Sequence, residues 1–150
     1  MEGGKQLAGW QKLNWEKGND WFYFDDQSGK MLTGWQKLDW EKGNDWFYFD
    51  KETGKKLYGW QTINDNIFYL DKIYGNMLTG FQKLNWEKGN NWFYFDKKTG
   101  KMLKGWQKLD WEKGNDWFYF YITGVRAENG CFQIEGKQYS FNENGCLINN

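Results

Sequence analysis

One motif repeats along the 150-residue chain, and this repetition constrains the fold more than any other feature of the sequence. Each copy starts with a glycine and an aromatic residue, and successive starts lie 25, 25, 21 and 25 residues apart. The units begin at Gly9, Gly34, Gly59, Gly80 and Gly105, and a degenerate sixth unit begins at Gly130. Such a period predicts a single module over residues 1–150, in which stacked copies of one supersecondary unit replace a central core.

Each unit is predicted to form two short strands followed by a tail. In the first unit the strands are Trp-Gln-Lys-Leu and Trp-Phe-Tyr-Phe, and "NWEKGND" connects them. Aromatic residues favour strands, whereas the Gly-Asn and Asn-Asp steps favour turns. The third unit lacks four residues of this connection, and no stretch has a useful helical period. The sequence therefore predicts an all-β solenoid of stacked hairpins without helices.

The alternation of side chains along the second strand separates a core face from a candidate site face. Phe22 and Phe24 point to one side, and we assign Leu13 to the same side. Trp21 and Tyr23 point to the other. The third unit keeps apolar residues at both phenylalanine positions, so we predict that this face forms the core and that the Trp21/Tyr23 face forms a site.

Composition excludes several classes of function. The 20 basic and 20 acidic residues are interspersed, which argues against binding of nucleic acid or an anionic membrane, and no run of 18 apolar residues could span a bilayer. Histidine is absent, which removes Ser-His and Cys-His catalysis and histidine-containing zinc sites. We expect no enzyme activity, cofactor or metal in this module. Cys131 and Cys146 could form a disulfide or stay reduced, and the sequence leaves both open.

The pattern "TGWQKLDW…WFYFD…TGKKLYGW" resembles the choline-binding repeats of Gram-positive cell-wall proteins and phage lysins. These repeats belong to a wider cell-wall-binding class that includes glucan-binding and clostridial toxin repeats. The matching elements are the Gly-Trp step, the W-[FY]-Y-[FL] strand and the "GKMLTG" tail, and they cover nearly the whole chain. The resemblance implies a left-handed superhelix of hairpins that binds choline between consecutive hairpins, in a cage of aromatic side chains closed by Met or another apolar residue.

The same resemblance implies a cellular setting. It suggests an extracellular module associated with the bacterial cell wall, whose partner is choline-decorated teichoic or lipoteichoic acid, and some relatives form homodimers through terminal hairpins. "GKQLAG" at residues 4–9 matches the repeat tail, so the sequence starts in mid-repeat. We therefore expect it to be a C-terminal part of a larger protein, such as a surface protein or a cell-wall hydrolase with its catalytic domain upstream.

Carried onto this sequence, the family pattern gives each cage two walls from one unit and a tyrosine from the next. The predicted cages are Trp10, Trp21 and Tyr48; Trp35, Trp46 and Tyr69; Phe81, Trp92 and Tyr119; and Trp106 with Trp117. Met31, Met77 and Met102 are candidate floors, although plain packing explains them equally well.

Three predicted cages are incomplete. The third unit pairs Trp60 with Tyr94, but Ile67 replaces its second tryptophan. In the fifth unit Ser140 stands at the third wall, unless Tyr139 or Phe132 substitutes for it. The sixth unit has cysteine and glutamine at both tryptophan positions, so we interpret it as a terminal cap.

Aromatic walls suit choline because its quaternary ammonium is a diffuse cation that cannot donate a hydrogen bond. Each aromatic face attracts such a cation by about 0.5–2 kcal/mol. Three walls give roughly millimolar affinity, which is useful only when several cages bind one polymer together. Repeated weak cages therefore explain the repeated sequence.

Two features leave alternatives open. An extra tryptophan in the connection, at Trp15, Trp40, Trp86 and Trp111, either packs on a neighbouring unit or extends a site. The acidic residue before the second-strand tryptophan either faces the cation or serves the turn, and Asn91 at that position favours the turn. A module that stacks sugar rings on tryptophan is the main alternative function, and a purely structural array is the other.

Overall fold

The computed structural model describes residues 6–16, 18–87 and 89–149, and part of the tail-like stretch 4–9 lies outside them. The described residues form antiparallel strands and turns, and no helix among them is long and apolar enough to cross a membrane. The strands are β1 Gly9–Trp15, β2 Gly18–Phe24, β3 Gly34–Trp40, β4 Gly43–Phe49, β5 Gly59–Ile63, β6 Asn66–Leu70, β7 Gly80–Trp86, β8 Gly89–Phe95, β9 Gly105–Trp111, β10 Gly114–Phe120, β11 Gly130–Ile134, β12 Lys137–Phe141 and β13 Leu147–Asn149. The predicted all-β series of hairpins is confirmed.

Consecutive strands pair into hairpins 1 to 6, from β1–β2 to β11–β12, and β13 adds a third strand to hairpin 6. We call the segment after each hairpin its tail. Tails 1 to 5 are residues 25–33, 50–58, 71–79, 96–104 and 121–129, and tail 6 begins at residue 142. Two compact units divide the chain, Met1–Leu78 with hairpins 1 to 3 and Thr79–Asn150 with hairpins 4 to 6.

The predicted seven-residue connection is wrong, because its residues extend both strands. In hairpin 2, Trp40 pairs with Gly43 and Asp39 pairs with Asn44, which leaves only residues 41–42 as the turn. The Asn44 amide donates a 2.6 Å hydrogen bond to the Asp39 carboxylate. The polar residues that we assigned to a loop thus face each other across the ladder. Hairpin 3 is shorter and turns through Asn64–Asp65, whose φ values of 51° and 69° fit the two-residue turns of tight hairpins.

The strand register separates the two faces that the sequence predicted. In hairpin 2, Trp35 pairs with Tyr48 and Lys37 with Trp46 on one side, which we call the site face. The other side, the core face, carries the second-strand phenylalanines. Their side chains are 0–1% exposed in hairpins 2, 4 and 5, at Phe47, Phe49, Phe93, Phe95, Phe118 and Phe120. The predicted core face is therefore confirmed.

Within each compact unit, the site face of one hairpin packs on the core face of the next. The Trp10 ring lies 4.9 Å from the Phe47 ring and 5.7 Å from the Phe49 ring, measured between centroids. In the second unit, Phe81 lies 5.1 Å from Phe118 in the same way. Because Phe47, Phe49 and Phe118 are buried under the preceding hairpin of their own unit, the core of each unit is distributed among its hairpins, as expected for a repeat protein.

Both cysteines are free, so the disulfide that the sequence left open does not form. Cys131 is exposed on hairpin 6. Cys146 is buried in tail 6 against Phe118 and Phe120. Burial and then the nearby Asp116 carboxylate raise the pKa of the Cys146 thiol to about 11, which keeps it protonated.

Each of tails 1 to 5 contributes one bridge residue, named for its isolated β-bridge to the last residue of its own hairpin. The bridge residues are Met31, Lys56, Met77, Met102 and Arg126. In three of them the backbone N–H also donates to the preceding hairpin, at the carbonyl of its second-strand tryptophan. These bonds run from Lys56 to Trp21, from Met77 to Trp46 and from Arg126 to Trp92, at 2.8–2.9 Å. The bridge residue thereby spans the gap between two hairpins.

A glycine in the following tail makes room for the bridge residue, and Gly124 provides a test. Its φ is +93°, and an added methyl group would overlap with the Met102 thioether and lie 3.2 Å from the Phe93 ring. Gly105 has a φ of +77° but meets nothing within 4 Å, so Gly105→Ala is the matched control for strain alone. We expect Gly105→Ala to lower the free energy of unfolding by about 1–2 kcal/mol, and Gly124→Ala by about 1–3 kcal/mol more, in urea titrations. Equal losses would mean that Met102 moves aside freely.

Candidate aromatic cages

The gaps between stacked hairpins form aromatic cages, which we name by their hairpins. In cage 1–2, Trp10 and Trp21 meet edge to face, with ring centroids 6.2 Å apart and planes at 81°. Phe47 of hairpin 2 is the third wall, and Lys56 from tail 2 closes the cage. Residues from two hairpins and one tail therefore converge on each gap.

Cage 2–3 repeats this geometry with an apolar bridge residue. Trp35 and Trp46 lie 6.4 Å apart at 86°, and Phe68 of hairpin 3 lies 4.9 Å from Trp35. Met77 supplies the bridge residue and packs against the same buried cluster as Trp35. The Trp46 side chain remains 38% exposed, so one wall of this cage is open to solvent.

Cage 5–6 has a similar open arrangement. Trp106 and Trp117 lie 6.4 Å apart at 81°, and Tyr139 of hairpin 6 lies 4.8 Å from Trp106. Leu147, the bridge equivalent at the start of β13, packs against the same cluster as Trp106 and Tyr139. Trp117 is 44% exposed, with the exposed Lys108 as its cross-strand partner.

Cage 4–5 is built differently at two positions. Phe81 stands where hairpins 1, 2, 3 and 5 have tryptophan, and Trp92 is the second wall. Phe118 of hairpin 5 is the third wall, and Arg126 closes the cage. Cage 4–5 and cage 1–2 are thus each closed by a basic bridge residue of their own.

The structure places the predicted third walls away from the cages to which we assigned them. Tyr48, Tyr69 and Tyr119 lie against the first-strand tryptophan of their own hairpin, each at 5.1 Å. The reason is the register, because each tyrosine pairs with that tryptophan and so points to the same face. The phenylalanine one residue earlier points back to the preceding hairpin. The alternation that we read in the sequence already contained this signal.

The remaining predicted site residues take varied positions. Tyr139 reaches Trp106, as the sequence allowed, whereas Phe132 lies 6.0 Å from Tyr121. Met31 is 40% exposed, and Met102 is buried under tail 5. Of the incomplete third-unit set, Trp60 pairs with Tyr69, Ile67 is half-buried, and Tyr94 packs on Phe81 at 4.7 Å. In hairpin 6, the Cys131 thiol contacts the Gln138 amide oxygen at 3.4 Å.

Two of the extra tryptophans extend cages. Trp40 lines a groove of about 440 Å³ together with Trp10 and Trp21, and tail 3 contributes Ile73 and Tyr74 to the same groove. Trp111 lines a groove of about 410 Å³ at cage 4–5. Trp15 and Trp86 pack on the core-face phenylalanine of their own hairpins, at 6.3 and 6.4 Å. The strand parity, two residues after a core-face leucine, predicts this packing. Trp40 and Trp111 also pack on their own phenylalanines, Phe47 and Phe118, at 5.8 and 6.3 Å.

The recurring acidic residues hold these tryptophans in place. The indole N–H groups of Trp15, Trp40 and Trp111 donate to Asp20, Asp45 and Asp116, at 2.5–2.6 Å. Each carboxylate lies on the core face of its hairpin, directly opposite a leucine. This bond fixes the indole ring, a role that neither a cation contact nor turn chemistry had predicted.

Lys56 and Arg126 were absent from the predicted site. Aligning "GKKLYG" with "GKMLTG" places Lys56 at the methionine position, and this comparison could have found it. Lys56 is 8% exposed, and burial lowers the pKa of its ammonium to about 8, so it remains charged at neutral pH. Arg126 forms an ion pair of 3.0 Å with Glu128.

The solved structures to which this chain is similar include pneumococcal choline-binding proteins. CbpF in complex with ipratropium matches with a TM-score of 0.77 and 33% identity, over 99% of this chain and 40% of that one. CbpJ from Streptococcus pneumoniae TIGR4 matches with 0.76 and 29%, over 96% and 46%. Crystal form II of choline binding protein F from Streptococcus pneumoniae matches with 0.57 and 30%, over 95% and 48%. This chain therefore spans less than half of each of these relatives.

No protein-family profile and no curated protein matches the chain. The fold and the cages define a cell-wall-binding type of β-hairpin repeat module. Its structural neighbours are choline-binding proteins, at about 30% identity over nearly the whole chain, which confirms the resemblance indicated by the sequence.

Proposed function

We propose that this chain is a non-catalytic module that binds the quaternary ammonium group of choline in cages 2–3 and 5–6. The observation that carries the proposal is the exposed tryptophan of each cage, Trp46 or Trp117, set at a right angle to a second tryptophan. A third aromatic ring and an apolar bridge residue complete the enclosure. Perpendicular aromatic faces around a space open to solvent suit a cation that needs no hydrogen bonds.

The presence of several cages in one chain indicates what kind of partner the module would bind. A cage of this kind holds choline with roughly millimolar affinity, so a single cage cannot anchor a protein. A polymer that carries many cholines engages several cages at once and raises the avidity through effective concentration. We therefore propose choline-decorated teichoic or lipoteichoic acid as the partner and the bacterial cell wall as the location, as implied for the relatives by their family.

Retention on a choline-bearing resin tests this function. We expect the chain to bind the resin and to elute with free choline, but not with sodium chloride at the same ionic strength. Calorimetric titration with choline should give roughly millimolar affinity. In a separate titration, choline should change the intensity of the tryptophan fluorescence. Elution by both salts alike would indicate simple ion exchange and would contradict the proposal.

A second candidate is supported by the groove at cage 1–2. There Trp40 offers an additional flat ring beside the carboxylate of Glu41, a combination that suits a sugar ring and its hydroxyls. Retention on an immobilised glucan, eluted by soluble glucan and unaffected by choline, would favour this function. Retention on the choline resin alone would exclude it for this groove.

A further inference from the structure

We propose that Lys56 and Arg126 are internal ligands that fill cages 1–2 and 4–5. Free choline then binds only where the bridge residue is apolar. The inference deepens the proposed function, since its choline experiments rest on that function. According to this inference, the type of bridge residue determines whether a cage is already filled by a side chain of the protein or is available to choline.

The Lys56 ammonium lies where a bound quaternary ammonium would make its contacts. Its Nζ is 5.0 Å from the Trp10 ring centroid, 5.7 Å from Trp21 and 5.5 Å from Phe47. Tyr58 of the same tail adds a fourth ring at 5.1 Å. These distances fall within the range of about 6 Å over which aromatic faces attract cations. All three walls of cage 1–2 therefore already face a cation of the chain itself.

The rest of the Lys56 environment keeps the side chain there. Its Nζ donates a 2.7 Å hydrogen bond to the backbone carbonyl of Tyr74 in tail 3. An alanine methyl group at Gly75 would approach the Lys56 side chain to 3.0 Å, so the next tail passes directly over it. Burial lowers the pKa of the Lys56 ammonium to about 8, which still leaves it charged at neutral pH inside the cage.

Arg126 repeats the arrangement in the second compact unit. The central carbon of its guanidinium lies 5.1 Å from the Trp92 ring centroid and 5.8 Å from Phe81. Glu128 accepts hydrogen bonds from Nε and from one terminal nitrogen, at 3.1 and 3.0 Å. Both bonds end on the same carboxylate oxygen, Oε1, so Glu128 anchors this edge of the guanidinium. Two cages in different units are thus filled by the same repeat position.

The exposure of the second-strand tryptophan correlates with the type of bridge residue. Trp21 and Trp92 are half-buried, and their cages have a basic bridge residue. Trp46 and Trp117 are exposed, and their cages have an apolar one. The backbone bond that places Lys56 also places Met77, at the same 2.8 Å length. Cages 1–2 and 2–3 therefore differ in the side chain of the bridge residue and not in the backbone hydrogen bond that positions it. A basic side chain excludes choline by its volume and by its like charge.

Exchanging bridge residues tests the proposal by counting bound choline. Calorimetry and equilibrium dialysis should show one more choline per chain for Lys56→Met and one fewer for Met77→Lys. The control is Lys72→Met, which removes an exposed lysine from tail 3 and should leave the number unchanged. A folded Lys56→Met protein with the wild-type number of bound cholines would overturn the proposal.

A second measurement needs no choline and no change at Lys56. In NMR spectra of the wild-type chain, the Lys56 side-chain methylene protons near Nζ should be shifted upfield by the ring currents of the tryptophans. Trp21→Ala should reduce this shift. Unshifted Lys56 protons would overturn the proposal whatever the choline result. A wild-type chain that shows the shift but binds no choline would contradict the proposed function alone.

Discussion

Replacing Trp46 and Trp117 together with alanine should weaken binding to a choline-bearing polymer by about 10²- to 10⁴-fold. Each substitution removes one aromatic face, worth about 0.5–2 kcal/mol, from an open cage. The affinity of one cage for free choline therefore falls only modestly. The avidity for the polymer falls much more, because the polymer can no longer engage two cages at once. The single variants should fall between the wild-type chain and the double variant.

The variants should still fold, because neither ring belongs to the fully buried core. Each substitution loses the partial burial of one ring against its neighbouring tryptophan, so we expect the free energy of unfolding to fall by about 1–2 kcal/mol per site. Trp15→Ala is the control, since Trp15 packs on Phe22 of its own hairpin and is a wall of neither open cage. Polymer binding is measured by surface plasmon resonance on immobilised teichoic acid, with circular dichroism as the check on folding. Equal losses in the control and the double variant would contradict the cage assignment.

Much of this fold followed from sequence because the repeat supplies the same information five times and once more in degenerate form. Gly34 and its equivalents mark the first strand of each hairpin, and the Trp-Phe-Tyr-Phe strand sorts its own side chains by alternation. The length of the strands did not follow. "NWEKGND" is rich in turn-forming residues, but Trp40 paired with Gly43 and Asp39 paired with Asn44 gain more from the ladder than from an open loop.

The cages were predicted less completely than the fold, for two physical reasons. The third wall depends on which hairpin each face meets, and stacking brings Phe47, not Tyr48, to the preceding hairpin. The bridge residue depends on a tail that crosses two hairpins, so its partners lie far away in sequence. Lys56 looked like one of many surface lysines, although its side chain is buried under Gly75.

Phe49→Ala should lower the free energy of unfolding far more than Phe24→Ala, although the two phenylalanines occupy equivalent positions of the repeat. Phe49 and Phe24 both end the strand "WFYFD", but Phe49 is fully buried and Phe24 is half-buried. Removing a fully buried phenylalanine costs about 3–5 kcal/mol, because it leaves a cavity as well as losing burial. We expect that loss for Phe49→Ala and about 1–2 kcal/mol for Phe24→Ala.

The comparison separates the energy of stacking from the energy of the hairpin itself. Both residues close the same ladder position, opposite Gly34 and Gly9, so the backbone pairing is matched. The difference is that the Phe49 ring lies under Trp10 of the neighbouring hairpin, at 5.7 Å. Urea unfolding followed by circular dichroism and by tryptophan fluorescence measures both variants. Similar losses for the two would mean that each hairpin carries its own stability, whereas the expected gap means that a hairpin is held by the site face packed on it.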